Sequence, residues 1–178
     1  LENQYSASNS TYTKALIANA LINCNSSKAN IVLEEIINNI QSDEKYSYIS
    51  SSGYDYYGSY GRNLNVSTTA LVSIACSKAK KYQDTNSKLI EYIISSKDFN
   101  GNWYSTQSTI WAFKAINEYS LKNELPSQKI KISLAGQTKE IEIKDTALDY
   151  YEVEFNNLQK ENKLNIDIED GEANYLVT

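Results

Sequence analysis

The chain has 178 residues, 41% of them apolar, and a formal net charge of −5 with acidic and basic residues intermixed. That is enough apolar material for a folded core, and the charge lacks the basic patch of a general nucleic-acid binder. There is no histidine and there are two cysteines without a Cys-x-x-Cys pair, which excludes His-based triads and H-E-x-x-H sites and leaves no metal or cofactor expected.

Taken in chain order, the first predicted helix is Ser10-Thr11-Tyr12 through Leu21. It opens on good N-cap residues, which satisfy free backbone N–H groups, and is apolar around most of its circumference. The second, Ala29, Val32, Leu33, Ile36, Ile37 and Ile40, is a clean i, i+3, i+4 stripe opposed by Asn30, Glu34, Glu35 and Asn38, so it buries one side only. A long loop from Ser42 to Val66 follows, carrying Tyr46, Tyr48, Tyr54, Tyr56, Tyr57 and Tyr60 among Gly53, Gly58 and Gly61. The third helix opens at Ser67-Thr68-Thr69 and runs through Cys76, again apolar nearly all round. Leu89, Ile90, Ile93 and Ile94 repeat the one-sided stripe. The turn Asn100-Gly101-Asn102-Trp103 then leads into a fifth helix, Ser105 through Ile116. Buried and half-buried helices alternate with a repeat of roughly 40–55 residues, as in stacked helical hairpins, and predict an inner row covered by an outer one.

The pattern changes at Pro126. Ile130, Ile132 and Leu134 alternate with Lys129, Lys131 and Ser133. Gly136-Gln137 offers a turn before Ile141 and Ile143. Further period-two runs occupy Tyr151–Phe155, Leu164–Ile168 and, after the hairpin signal Asp170-Gly171, Ala173–Val177. About five short antiparallel strands with one buried face each are expected. The predicted fold class is therefore α+β: a partial helical-hairpin α/α-toroid over residues 1–124 and a small antiparallel β segment over 125–178. No segment of the chain is apolar for long enough to span a membrane.

The run Asn100-Gly101-Asn102-Trp103-Tyr104-Ser105-Thr106-Gln107-Ser108-Thr109-Ile110-Trp111-Ala112-Phe113-Lys114-Ala115-Ile116-Asn117-Glu118-Tyr119 resembles a late hairpin of the alpha-2-macroglobulin/complement thioester domain. The shared pattern is a Gly-x-Trp turn, a Ser/Thr-rich cap and an Ala-rich helix. Asn65-Val66-Ser67-Thr68-Thr69-Ala70-Leu71 is similar to an earlier repeat, and Lys163 through Tyr175 to the β strands that follow the toroid in that family. The Gly-x-Trp and Ala-rich pattern also occurs in terpenoid cyclases and prenyltransferases, so it identifies the toroid; the β tail points to the macroglobulin group. The family's reactive Cys-Gly-Glu-Gln does not occur here: Cys24 is followed by Asn25-Ser26 and Cys76 by Ser77-Lys78. The resemblance implies a non-enzymatic fragment of a larger, bacterial, secreted or cell-envelope protein, with proteases or cell-surface proteins as partners.

Among the side chains themselves, Tyr54, Tyr56, Tyr57 and Tyr60, with Arg62 as a polar anchor and Trp103 beside them, form the candidate interaction surface, because tyrosine supplies rigid amphipathic contact area. The competing reading makes these residues cover for the end of the helical array. Asp55 and Asp98 are the carboxylates that an alternative carbohydrate-active or cyclase-like toroid enzyme would need to converge across a cleft. Cys24 and Cys76, both in inner helices, are expected to be buried free thiols, with a disulfide between them as the alternative.

Overall fold

The computed structural model describes residues 8–56, 58–122, 128–143 and 152–169. The chain separates into two compact units, Leu1–Lys122 and Asn123–Thr178. The described residues combine five helices with two small antiparallel sheets, an α+β architecture.

The first unit holds α1 (Thr11–Asn23), α2 (Ala29–Ile37), a minimal hairpin of β1 (Gln41–Ser42) and β2 (Ser47–Tyr48), then α3 (Gly61–Ala79), α4 (Gln83–Ser95) and α5 (Thr106–Lys122). Ser10 caps α1 as its sequence requires, its side chain accepting the Thr13 N–H. Ser105 does the same for α5, its Oγ accepting the Ser108 N–H at 3.1 Å. α3 differs from expectation. It begins at Gly61 rather than Ser67, so Ser67, Thr68 and Thr69 lie inside the helix and are buried. Those side chains serve tertiary contacts in place of a cap: Thr69 Oγ1 accepts the Ile49 N–H (3.0 Å) and Ser51 Oγ donates to Thr68 Oγ1 (3.0 Å), which pins the loop after β2 onto α3.

α3 is the central helix, packed on α1 along one flank and on α5 along the other, with α2 and α4 laid over the gaps. Its two sides therefore feed two cores. Leu64, Leu71, Val72, Ala75 and Cys76 join Ala15, Ala18, Leu21, Val32, Leu33 and Ile36. Val66, Ala70 and Ile74 join Ile90, Ile93, Trp103, Ala112 and Ala115. The many alanines and serines let helices approach closely, and hydrogen bonds between the helices fix their register. Asn19 Nδ2 donates to Leu71 O (2.8 Å) between α1 and α3. Ser67 and Ser108 meet through their hydroxyls (3.1 Å) between α3 and α5. Asn86 of α4 accepts from Ser73 Oγ (2.7 Å) and donates to Ser77 Oγ (2.8 Å) of α3. The one-sided stripes are as expected: α2 buries Ala29, Val32, Leu33 and Ile36, and α4 buries Leu89, Ile90 and Ile93.

The second unit is a sheet of order β4-β3-β5, with β3 Gln128–Leu134, β4 Gln137–Ile143 and β5 Asn165–Glu169, antiparallel throughout. Ile130 faces Ile141 and Ile168 on one side of the pleat. On the other, Lys129 is flanked by Glu142 and Glu169, and Lys131 by Glu140 and Asp167. A basic central strand between acidic edges favours this register. The β3–β4 loop is Ala135-Gly136 rather than Gly136-Gln137, both residues at positive φ (51° and 76°) as a primed hairpin turn demands. Residues 152–156 form no strand, which corrects the expectation for the Tyr151–Phe155 run. Tyr151 itself, Pro126, Asp170-Gly171 and the Ala173–Val177 run lie outside the described residues.

Candidate functional site

The loops that enter α3 and α5 share one construction. In the first, the Asp55 backbone N–H donates to Ser59 O, the Gly58 N–H donates to Asp55 O, and Asp55 Oδ1 accepts the Ser59 N–H at 2.8 Å. In the second, the Asp98 N–H donates to Asn102 O, the Gly101 N–H donates to Asp98 O, and Asp98 Oδ1 accepts the N–H groups of Asn100 and Asn102, both at 2.9 Å. Gly58 and Gly101 stand at φ 79° and 77°, a left-handed position where other residues are strained. The signal in the sequence is Asp-aromatic-x-Gly-x-aromatic, written Asp55-Tyr56-Tyr57-Gly58-Ser59-Tyr60 and again Asp98-Phe99-Asn100-Gly101-Asn102-Trp103. Helical periodicity does not reveal it, because the repeat lies in the loops. Each candidate catalytic carboxylate thus has a structural task, holding its own turn closed. Asp43 does likewise in the β1–β2 hairpin, where the N–H groups of Tyr46 and Lys45 hold its carboxyl below the usual range.

The turns decide which aromatic side chains reach water. Tyr56 and Phe99 occupy equivalent positions after the aspartates and are 92% and 93% exposed. Tyr54, Tyr60 and Tyr104 are exposed as well, Tyr54 and Tyr60 edge to face at 5.8 Å. Arg62, in the first turn of α3, joins the two loops: its guanidinium lies 5.0 Å from the Tyr104 ring centre and donates to Ser96 O at 3.3 Å. The candidate surface thus contains Tyr54, Tyr56, Tyr60 and Arg62, and gains Tyr104 and Phe99, which sequence reasoning left out. Tyr57 lies outside the described residues.

Trp103 does not belong to that surface. It is fully buried, with its indole N–H donating to Ile93 O at 2.6 Å and Phe113 edge-on at 5.3 Å. The turn folds it inward as a plug between α4 and α5. This leaves Tyr104 at φ 59°, spanned by the Ser105 N–H donating to Trp103 O at 2.7 Å, so that its ring points out over Arg62. A shallow depression beside it is lined by Asp98, Asn102, Tyr104, Thr109 and Ile110.

The cysteines differ from each other. Cys76 is buried in α3, and desolvation pushes its thiol up to about 12. Cys24 is exposed at the C-cap of α1, against the expectation of two buried thiols. Neither is bridged. Among the described residues no group of His, Cys, Asp and Glu is placed to hold a metal ion, and no helix is long and apolar enough to cross a membrane.

A family model described as the A-macroglobulin TED domain matches residues 1–119. Among curated proteins, venom factor 2 of Austrelaps superbus is 25% identical over 105 residues, covering 57% of this chain. The chain spans 6% of the length of that relative.

Proposed function

The chain belongs to the A-macroglobulin TED-domain family, and from that premise we propose that it serves as a non-enzymatic, non-covalent contact scaffold within a larger extracytoplasmic protein. In this reading residues 1–124 are an arc of an α/α toroid and 125–178 a separate β segment. The exposed aromatic pole is its contact face, and proteases or cell-surface proteins are the partners that the family suggests.

The observation that carries the non-covalent part is the state of the two thiols. A reactive thioester needs a cysteine in Cys-Gly-Glu-Gln. Here Cys24 precedes Asn25-Ser26 at a solvent-exposed helix end, and Cys76 precedes Ser77-Lys78 in a packed helix where the thiolate is strongly disfavoured. The aspartates offered for the enzyme alternative are engaged by backbone N–H groups of their own loops, which favours a structural role for them.

Methylamine treatment of this 178-residue chain tests this. The expected result is an unchanged intact mass and no thiol beyond that of Cys24. A methylamine adduct accompanied by a newly titratable thiol would overturn the reading.

A further inference from the structure

We propose that the aromatic pole docks a protein partner by receiving one of its Asp or Glu carboxylates at Arg62, with Tyr54, Tyr56, Tyr60 and Tyr104 as the surrounding contact surface. This rests on the contact-scaffold reading above and names the chemistry of the partner.

The loop that builds the pole reads Ser50-Ser51-Ser52-Gly53-Tyr54-Asp55-Tyr56-Tyr57-Gly58-Ser59-Tyr60-Gly61-Arg62. Serine, glycine and tyrosine with an arginine are the palette of protein-binding loops: the rings give large contact area with few torsions to freeze, and the small residues let the backbone fit. The rings lie outside both hydrophobic cores. Tyr54, Tyr56, Tyr60, Phe99 and Tyr104 all remain exposed in a unit whose Trp103 and Tyr12 are buried, and clustered exposed aromatics mark interaction sites.

Arg62 supplies the sign of the partner's charge. Of the 17 lysines and arginines it is the single arginine, and it follows Tyr60-Gly61 in the chain and lies against the Tyr104 ring. Its contacts are the Tyr104 ring, the Tyr104 hydroxyl at 3.5 Å and Ser96 O at 3.3 Å; among the described residues it makes no salt bridge. A guanidinium has five donors in a planar fork that matches a carboxylate, so two long hydrogen bonds leave donors to offer. Neither Asp55 nor Asp98 forms an ion pair with Arg62. Asp55 is buried, and Asp98 turns its Oδ1 to the backbone of its loop. The depression beside Tyr104 offers room for a partner side chain flanking the carboxylate. A glycan would also stack on the rings, but the carboxylates that would grip paired sugar hydroxyls are engaged in their own turns, so the observations favour a protein.

The test is to pan a phage-displayed random dodecapeptide library on the intact chain, titrate the selected peptides, and map them by NMR. The expected peptides carry Asp or Glu beside an apolar residue and shift the resonances of Tyr54 to Arg62 and of Tyr104. Arg62→Gln is expected to weaken them about tenfold or more, Arg62→Lys nearly as much, because a lysine lacks the fork. Replacing the peptide carboxylate by its amide should do the same. Because Arg62→Gln also gives up the contacts to Tyr104 and Ser96 O, the amide peptide on the unaltered chain is the comparison that isolates the carboxylate. Arg62→Gln should keep a cooperative melt and the helical spectrum. Peptides without an acid that still map to the pole would overturn the carboxylate assignment while leaving the contact-scaffold reading in place. Binding that maps elsewhere, no enrichment at all, self-association abolished by Arg62→Gln, or tighter binding of oligogalacturonate than of any selected peptide would each overturn the proposal.

Discussion

Cys76 shows how one side chain ties burial to pH. A thiol is neutral when protonated, so desolvation in α3 raises its folded-state pKa from 9.0 to about 12. Below 9 both states are protonated and nothing is lost. As pH rises past 9 the unfolded thiol ionises while the folded one does not, so stability falls with a slope approaching about 1.4 kcal/mol per pH unit until the folded group titrates. Tyr92, raised by burial beside Tyr48, acts in the same direction. Chemical denaturation at stepped alkaline pH is expected to show this decline, and Cys76→Ala to reduce it. A thiol reagent at neutral pH should modify exposed Cys24 at once and Cys76 only at the rate of unfolding. Trp103 teaches the complementary lesson. An aromatic residue after a turn reads equally as lid or plug, and only the acceptor at Ile93 O and the facing Phe113 show that it is a plug.

At the scale of elements, helix register is set by small polar residues rather than by apolar bulk. The α3–α4 pairing depends on Asn86, 3% exposed, which satisfies the hydroxyls of Ser73 and Ser77 together. Asn86→Ala removes both partners and leaves two buried hydroxyls to find others. The expected cost is about 2–4 kcal/mol in urea unfolding, with little change in helical content. Loops follow the same economy of contacts. The repeated Asp-x-x-Gly turn closes itself with one carboxylate and one left-handed glycine, then delivers one aromatic residue to water and the next to the helix start. Tyr56 and Phe99 accordingly match in exposure, whereas Tyr60 and Trp103, also matched in sequence, differ in burial because α4 and α5 supply a pocket and an acceptor for Trp103.

For the whole molecule, the helical unit carries its own two cores, both centred on α3. Residues 1–122 expressed alone are therefore expected to give a helical spectrum and a single cooperative thermal transition. A gradual, non-cooperative loss of ellipticity would show that the unit needs the rest of the chain. The outer flank of α5 remains apolar, with Ile110, Phe113 and Leu121 exposed. That is the edge at which an arc of hairpins would continue if the toroid proposal holds.

Much of this was legible in the chain itself. The one-sided stripes of α2 and α4, the apolar all-round helices between them, and the alternation of Ile130 to Leu134 follow from periodicity, because a side chain's face is fixed by 3.6 or 2.0 residues per repeat whatever surrounds it. The Gly-x-Trp turn and its Ala-rich helix pointed to stacked helical hairpins, and together with the β tail to the family whose model matches residues 1–119. What periodicity does not encode is which partner a polar side chain meets. Ser67, Thr68 and Thr69 look like a helix cap until α5 and the loop after β2 claim their hydroxyls. Asp55 and Asp98 look like candidate acids until their own backbones occupy them, and Trp103 looks like surface until α4 and α5 close over it. Those outcomes depend on segments distant in sequence meeting at hydrogen-bonding distance, and only the tertiary structure decides that.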